Sequence, residues 1–242
     1  MTEVEKAREE GSKQQQRAHR ILDAASALIL RWGYDKTTID DIAKQAGVAK
    51  GTIYLHWKTR QDLFMALIQR ERLDFAKAFR QRIAADPAGG TLSGITRHWA
   101  LLTMKYPLLK ALFLRDRELL GKLAQSAVTS AAFIERVEGF KPYLEALRKL
   151  DLVRSDLSPR MEVYFLGVVY AGFFLADPFM PEEMALSEDE FAELMAEAVH
   201  RTLETDRVLS PEELKTLSQP YLESVDRYIV LMDEQLRREL SK

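Results

Sequence analysis

Between Thr38 and His56 two short helical periods are separated by a single glycine, and no other stretch of the chain admits so few folds. Ile42, Ala43 and Ala46 recur on one face at helical spacing. Thr38-Ile39-Asp40-Asp41 has the form of a capping box, with Asp41 in place of the commoner glutamate. Asp40 and Asp41 also suit the positive end of the helix dipole. Gly47 stops this helix, and after the turn Gly47-Val48-Ala49 a second short helix runs through Lys50 to His56. Two short helices joined across a glycine-containing turn make a helix-turn-helix. Ahead of it Ile21, Leu22, Ala25, Leu28 and Ile29 give a longer helix its apolar face, and Gly33 supplies the left-handed cap that ends it. Ile21, Ala25, Ile42, Ala43, Val48, Ile53, Trp57 and Leu63 are the expected core of this small unit.

The rest of the chain keeps the same period. Leu63 to Ile83 reads as an amphipathic helix, Asp86-Pro87-Ala88-Gly89-Gly90 as a loop, and further helices are expected near 92–104, 107–116, 118–150, 159–177, 188–206 and 211–240. No segment alternates as a strand would. The expected fold is all-α: an N-terminal three-helix helix-turn-helix domain and a larger helical domain for ligand binding and dimerisation. Its expected divisions are a flexible polar arm over 1–16, the helix-turn-helix unit over 17–62, the larger domain over 63–206 and a helical extension over 207–242. In that extension Leu214, Leu217, Tyr221, Val225, Tyr228, Met232, Leu236 and Leu240 form one stripe, expected to fold back on the body or across a dimer.

Charge is distributed unevenly. Residues 11–60 carry a net +5, against −2 over 1–10 and −5 over 61–242. A basic segment on an acidic body is the asymmetry expected when one end meets a polyanion. Within that segment the residue types suit duplex DNA. The leading turn of the 50–56 helix offers backbone N–H groups to phosphate, with Lys50 adding a full charge. Gly51 has no side chain to hold the helix away from bases. Thr52 and Tyr54 can hydrogen-bond to base edges, and Tyr54 can pack on a thymine methyl. His56, Lys58 and Arg60 follow at the far end, suited to backbone phosphate, and Thr38 can cap its helix and touch phosphate as well.

The run from Arg20 to Phe64 resembles the tetracycline-repressor (TetR) family of bacterial regulators. The resemblance is carried by Ile21-Leu22-Asp23-Ala24-Ala25, Gly33-Tyr34, Thr37-Thr38-Ile39-Asp40-Asp41-Ile42-Ala43, Ala46-Gly47-Val48-Ala49-Lys50-Gly51-Thr52-Ile53-Tyr54 and His56-Trp57-Lys58-Thr59-Arg60-Gln61-Asp62-Leu63-Phe64. It implies DNA contact at Thr38, Lys50, Gly51, Thr52, Tyr54, His56, Lys58 and Arg60. Ala49 stands where the family commonly has a capping Ser or Thr, and Trp57 where it usually has Phe. The expected partners are double-stranded operator DNA, an unidentified small-molecule effector and a second copy of the chain, because one unit buries too little surface for tight specific binding. Two reading helices would then enter successive major grooves about 34–36 Å apart. Repression relieved by a small, largely apolar effector is the expected function; the alternative is a helical carrier or scaffold that reads no DNA.

Val163 to Leu175 is apolar on every side, whereas a helix on a monomer's surface keeps a polar face. A partner subunit is the simplest cover, the centre of the monomer's own core being the alternative; the resemblance implies that the 188–206 helix joins it, so that Gly167, Ala171, Phe191, Leu194, Met195, Ala198 and Leu203 are the candidate interface. The resemblance implies an effector held between helices of the body, and large side chains with polar tips suit such a site. Trp99, Thr103, Tyr106, Phe113, Phe140, Tyr143, Tyr164, Tyr170 and Phe174 are its candidate walls.

Cysteine is absent, which excludes disulfides and thiol ligands. No nucleophile, phosphate-loop or dinucleotide motif occurs, so an enzyme, a cofactor and a metal are not expected; His200 and Glu204, one turn apart, are the nearest thing to a ligand pair. The polar start has no apolar core of a secretory signal, and Val163 to Ala176 is shorter than a bilayer span of about 20 residues. A cytoplasmic protein with no membrane partner is expected.

Overall fold

The computed structural model describes residues 3–125 and 140–240. Their regular structure is helical, with one isolated antiparallel bridge between Val153 and Glu204. In chain order the helices are α1 (Glu3–Trp32), α2 (Ile39–Ala46), α3 (Lys50–His56), α4 (Arg60–Ala85), α5 (Leu92–Lys105), α6 (Pro107–Leu114), α7 (Arg117–Leu120), α8 (described over 140–149), α9 (Pro159–Ala176), α10 (Glu188–Leu203) and α11 (Pro211–Leu240).

Local chemistry fixes the first four. Thr38 and Asp41 form the reciprocal capping box read from the sequence, with Asp41 N–H to Thr38 Oγ1 at 3.2 Å and Thr38 N–H to Asp41 Oδ2 at 3.1 Å. Thr59 and Asp62 repeat it at the start of α4. Gly47 takes the left-handed conformation (φ 65°, ψ 40°) that turns the chain between α2 and α3. Ile21, Ala25, Ile42, Ala43, Ile53, Trp57 and Leu63 are buried together, with Val48 partly buried at their edge.

α7 docks on the corner at the end of α1. Tyr34 N–H donates to the Leu119 carbonyl at 2.8 Å, and Gly33 (φ +81°) is so close that an added Cβ would lie 2.9 Å from the Glu118 carbonyl oxygen. The helix-turn-helix unit is thereby seated on the body through α6 and α7 as well as through α4.

Two expectations change. The arm expected over 1–16 is helix from Glu3 onward, because its Glu, Lys, Arg, Gln and Ala are strong helix formers and extend α1 backward. The helix expected over 118–150 is broken: α7 ends at Leu120 and a tight turn covers Gly121–Gln125, where Gly121 (φ +54°) sits against Asp35. Residues 126–139 of that call lie outside the described residues. The helix expected near 211–240 is present as α11 and folds back on the body, its two halves joining different cores. Leu217 packs with α4, α5 and α8, whereas Met232, Leu236 and Leu240 complete the N-terminal cluster around α1 and α4. Arg80 of α4 meets Asp226 through two contacts of 2.9 and 3.1 Å, and Gly90 lies under Ser218.

Candidate functional site

α3 stands at the edge of the N-terminal unit with Ile53, His56 and Trp57 turned inward. Its other face is open. Gly51, Tyr54, Leu55 and Lys58 are exposed, Thr52 is half-buried, and Thr38 is exposed at the start of α2. Nothing in the protein lies within 4 Å of where a Gly51 Cβ would sit. A glycine inside a helix costs roughly 0.5–1 kcal/mol relative to alanine, and no neighbour in this fold demands it. Its bare backbone is open to the outside of the chain.

Lys50 Nζ reaches back to Asp40 Oδ2 at 2.9 Å, and that hydrogen bond and charge raise the ammonium above its ordinary pKa. Both groups are well exposed, so the pair exchanges readily for another anion. Ala49 offers no side-chain cap to α3, in accord with the sequence reading. The Thr38 hydroxyl is engaged with Asp41 at 2.5 Å, which holds that carboxyl below its usual range.

Two of the expected contacts point elsewhere. His56 is only 8 % exposed; its ring lies 5.2 Å from that of Trp57 and its Nδ1 meets no partner among the described residues. Burial, then the charge of Arg17, lowers its pKa. It lies three residues from Ile53 and so shares the inner face. Arg60 turns back from the outer surface: Nη1 donates to the carbonyls of Tyr34, Asp35 and Thr37 at 3.2, 3.3 and 2.8 Å. Leu55, which the sequence reading did not single out, is 72 % exposed beside the 46 % exposed Tyr54. Its signal was phase: a leucine two residues from Ile53 and one from His56 falls outside the buried stripe.

The expected effector walls separate into two groups. Trp99 gathers Phe113, Tyr170 and Phe174 at ring distances of 5.1, 4.4 and 6.2 Å, and Phe75 links it to Tyr106. Thr103 is buried on the same helix as Trp99, its hydroxyl without a hydrogen-bond partner among the described residues. Tyr170 Oη donates to Thr96 Oγ1 at 3.2 Å. Phe140 and Tyr143 belong to a second group with Tyr221. Tyr164 belongs to neither: it is 74 % exposed, because it sits two residues from both Glu162 and Leu166, on the opposite side of α9.

The candidate interface divides in the same way. Phe191, Met195 and Leu203 are buried within the protomer, since α10 needs its inner stripe to pack on α5. Leu194 is exposed, and Gly167, Ala171 and Ala198 are half-buried. The outer face of α9 adds Met161, Val168 and Leu175, all exposed. Pro159–Phe179 forms a 21-residue apolar run with mean hydropathy 1.3, of which only 22 % is buried. By length and composition alone this run is long and apolar enough to cross a membrane, although Arg160, Glu162 and Asp177, which the shorter Val163–Ala176 count left out, lie within it. His200 and Glu204 do pair, at 2.7 Å, but Glu204 also accepts from Ser93 N–H and Oγ, so it caps α5. No group of three or more metal-binding side chains occurs among the described residues.

Residues 21–67 match the family described as bacterial regulatory proteins, tetR family. The fatty acid metabolism regulator protein of Bacillus subtilis (strain 168) is 34% identical over 84 residues, which are 34% of this chain and 43% of that protein. The match therefore spans less than half of that relative's length. The HTH-type transcriptional regulator AcrR of Shigella flexneri is 24% identical over 191 residues, 76% of this chain and 88% of that one. Among solved structures, SmeT, the repressor of the Stenotrophomonas maltophilia multidrug efflux pump SmeDEF, aligns with a TM-score of 0.61 at 20% identity, covering 80% of this chain and 93% of that one. At that identity the likeness concerns the fold.

Proposed function

From the premise that the chain belongs to the tetR family of bacterial regulatory proteins, we propose that it is a dimeric regulator that reads operator DNA with α3 and leaves it when a small, largely apolar effector enters the body. The observation that carries the DNA reading is the open face of α3: a glycine with no steric reason inside the fold, flanked by exposed Tyr54 and Leu55. Gly51 admits the duplex, Tyr54 and Leu55 meet base edges and thymine methyls, and Lys50 and Lys58 grip phosphate. Lys50 exchanges the Asp40 carboxylate for phosphate without unfolding anything, since the pair lies at the surface.

A second copy of the chain covers α9. Met161, Tyr164, Val168 and Leu175 point away from the protomer, and nothing lies within 4 Å of a Cβ built on Gly167 or Gly172. The neighbouring exposed face of α10 carries Glu190, Glu193, Glu197 and Arg201 around Leu194. Such charges suit the wet rim of a protein interface and are expensive in hydrocarbon, which favours a subunit over a bilayer as the cover. The effector is taken up near Trp99, where the Thr103 hydroxyl, without a hydrogen-bond partner among the described residues, offers one polar anchor among aromatic rings.

Selection of bound duplexes from a random pool, followed by a screen for compounds that release the enriched sequence, tests this reading. A near-palindromic consensus with half-sites one helical turn apart is expected. Failure to enrich any sequence would leave a helical ligand carrier in its place.

A further inference from the structure

Along its first half α11 packs on the body through Leu217, Ser218 and Tyr221 but leaves a groove open on its α8 side. Between it and α8 lies a cleft of about 640 Å³, within the range of about 300–1,000 Å³ typical of small-molecule sites. Its apolar floor is made by Tyr143 and Leu152 from one side and Leu217 and Tyr221 from the other, which meet where the two tyrosine rings lie 4.6 Å apart. The lining follows one face of α11 from Glu212 to Arg227, a span of about 22 Å at 1.5 Å per residue, so the cleft is long as well as apolar.

Its two ends differ in charge. At the Glu212 end Arg207 is already engaged, with Nη2 donating to Glu213 Oε1 at 2.8 Å and Nη1 to the Leu150 carbonyl. The other Glu213 oxygen accepts from Ser210 N–H at 2.9 Å. Glu212 stands exposed beside them, so that end repels an anion. At the far end Arg227 is exposed and makes no ion pair among the described residues, while Ser224 lies one turn before it on the same wall. The adjacent Asp226 is held by Arg80 on the α4 side.

We propose that this cleft binds an elongated amphiphile with one anionic group, its chain along Leu152, Leu217 and Tyr221 and its head at Arg227. The cleft's lining shares no residue with the aromatic group around Trp99, to which Tyr221 is linked through Phe79 and Phe75, and the proposal needs no DNA reading to be true. Its occupant lies against the first half of α11, whose second half carries Met232, Leu236 and Leu240 in the N-terminal core.

Calorimetric titration of the full chain with dodecanoate below its micellar concentration, and with dodecanol as the uncharged comparison, tests it without DNA. Dodecanoate is expected to bind once per chain at the cleft. Arg227→Gln should weaken dodecanoate about fivefold, the size of one exposed ionic contact, and leave dodecanol unchanged. Ala146→Trp fills the cleft from an exposed lining position and should abolish uptake of both at an unchanged melting temperature. Thr216→Trp, from the opposite wall, gives the same readout should the first variant misfold. Absence of dodecanoate uptake, or uptake indifferent to both tryptophans, would overturn the proposal. So would loss of self-association in Ala146→Trp without ligand uptake, which would assign the cleft to a second copy.

Discussion

Arg60 lies over the Tyr34 ring, its guanidinium carbon 4.2 Å from the ring centre, while the same group donates to three carbonyls of the 34–37 loop. The first residue of α4 thus clamps the corner on which α7 docks. Removing the clamp strands those carbonyls beside a lost cation–π contact. Arg60→Gln is expected to cost about 1–3 kcal/mol of unfolding free energy, and lysine should not restore it, because a single ammonium cannot reproduce the planar fork. The salt dependence of DNA affinity should stay unchanged in Arg60→Gln and flatten by about one ion in Lys50→Ala. A flattened slope in Arg60→Gln would return Arg60 to the phosphate backbone.

The outer face of α9 is expected to carry the dimer. Val168→Arg places a charge at a position exposed in the protomer, so folding should be preserved while sedimentation at micromolar concentration shifts from dimer to monomer. Met195→Ala should instead lower stability by about 2–5 kcal/mol, because Met195 belongs to the protomer's own core. A Val168→Arg protein that remains fully dimeric would move the interface elsewhere.

The same division of faces explains what could be read in advance. The capping box at Thr38, the Gly47 turn, Gly33 and the helical character of the described residues were legible because each depends on residues a few positions apart. The sense in which His56, Arg60 and Tyr164 point was not, since a shift of one or two residues around a helix moves a side chain from surface to core. The hydrophobic stripe of α11 was visible, but its division between two cores depends on contacts with α1, α4 and α8, far away in sequence. Leu55 was passed over because apolar residues in short helices are usually buried.

α11 is expected to be part of the cooperative fold. Leu236 is buried with α1 and α4 residues, and Leu236→Ala should cost about 2–5 kcal/mol by chemical denaturation. A protein truncated after Ser210 with unchanged stability would show the helix to be dispensable.

Two buried histidines set a pH dependence. His56 is lowered mainly by burial and then by the charge of Arg17; His98 is lowered mainly by burial, against the opposing pull of Asp86 at 2.8 Å. Both folded values therefore lie below the ordinary 6.5. The unfolded chain binds more protons as acidity rises, so their contribution is complete above 6.5 and is lost as pH falls through the lowered folded values. Melting temperature should fall on acidification from neutrality, and the fall should shrink in His56→Phe. An equal fall in that variant would remove His56 from the account.

Gly51→Leu separates fold from reading most directly. With nothing within 4 Å of the added side chain, the protein should gain roughly 0.5–1 kcal/mol of unfolding free energy from helix propensity. Its affinity for the selected operator should fall at least tenfold, because the new side chain meets the duplex. Higher stability with undiminished operator affinity would contradict the entry of α3 into the groove.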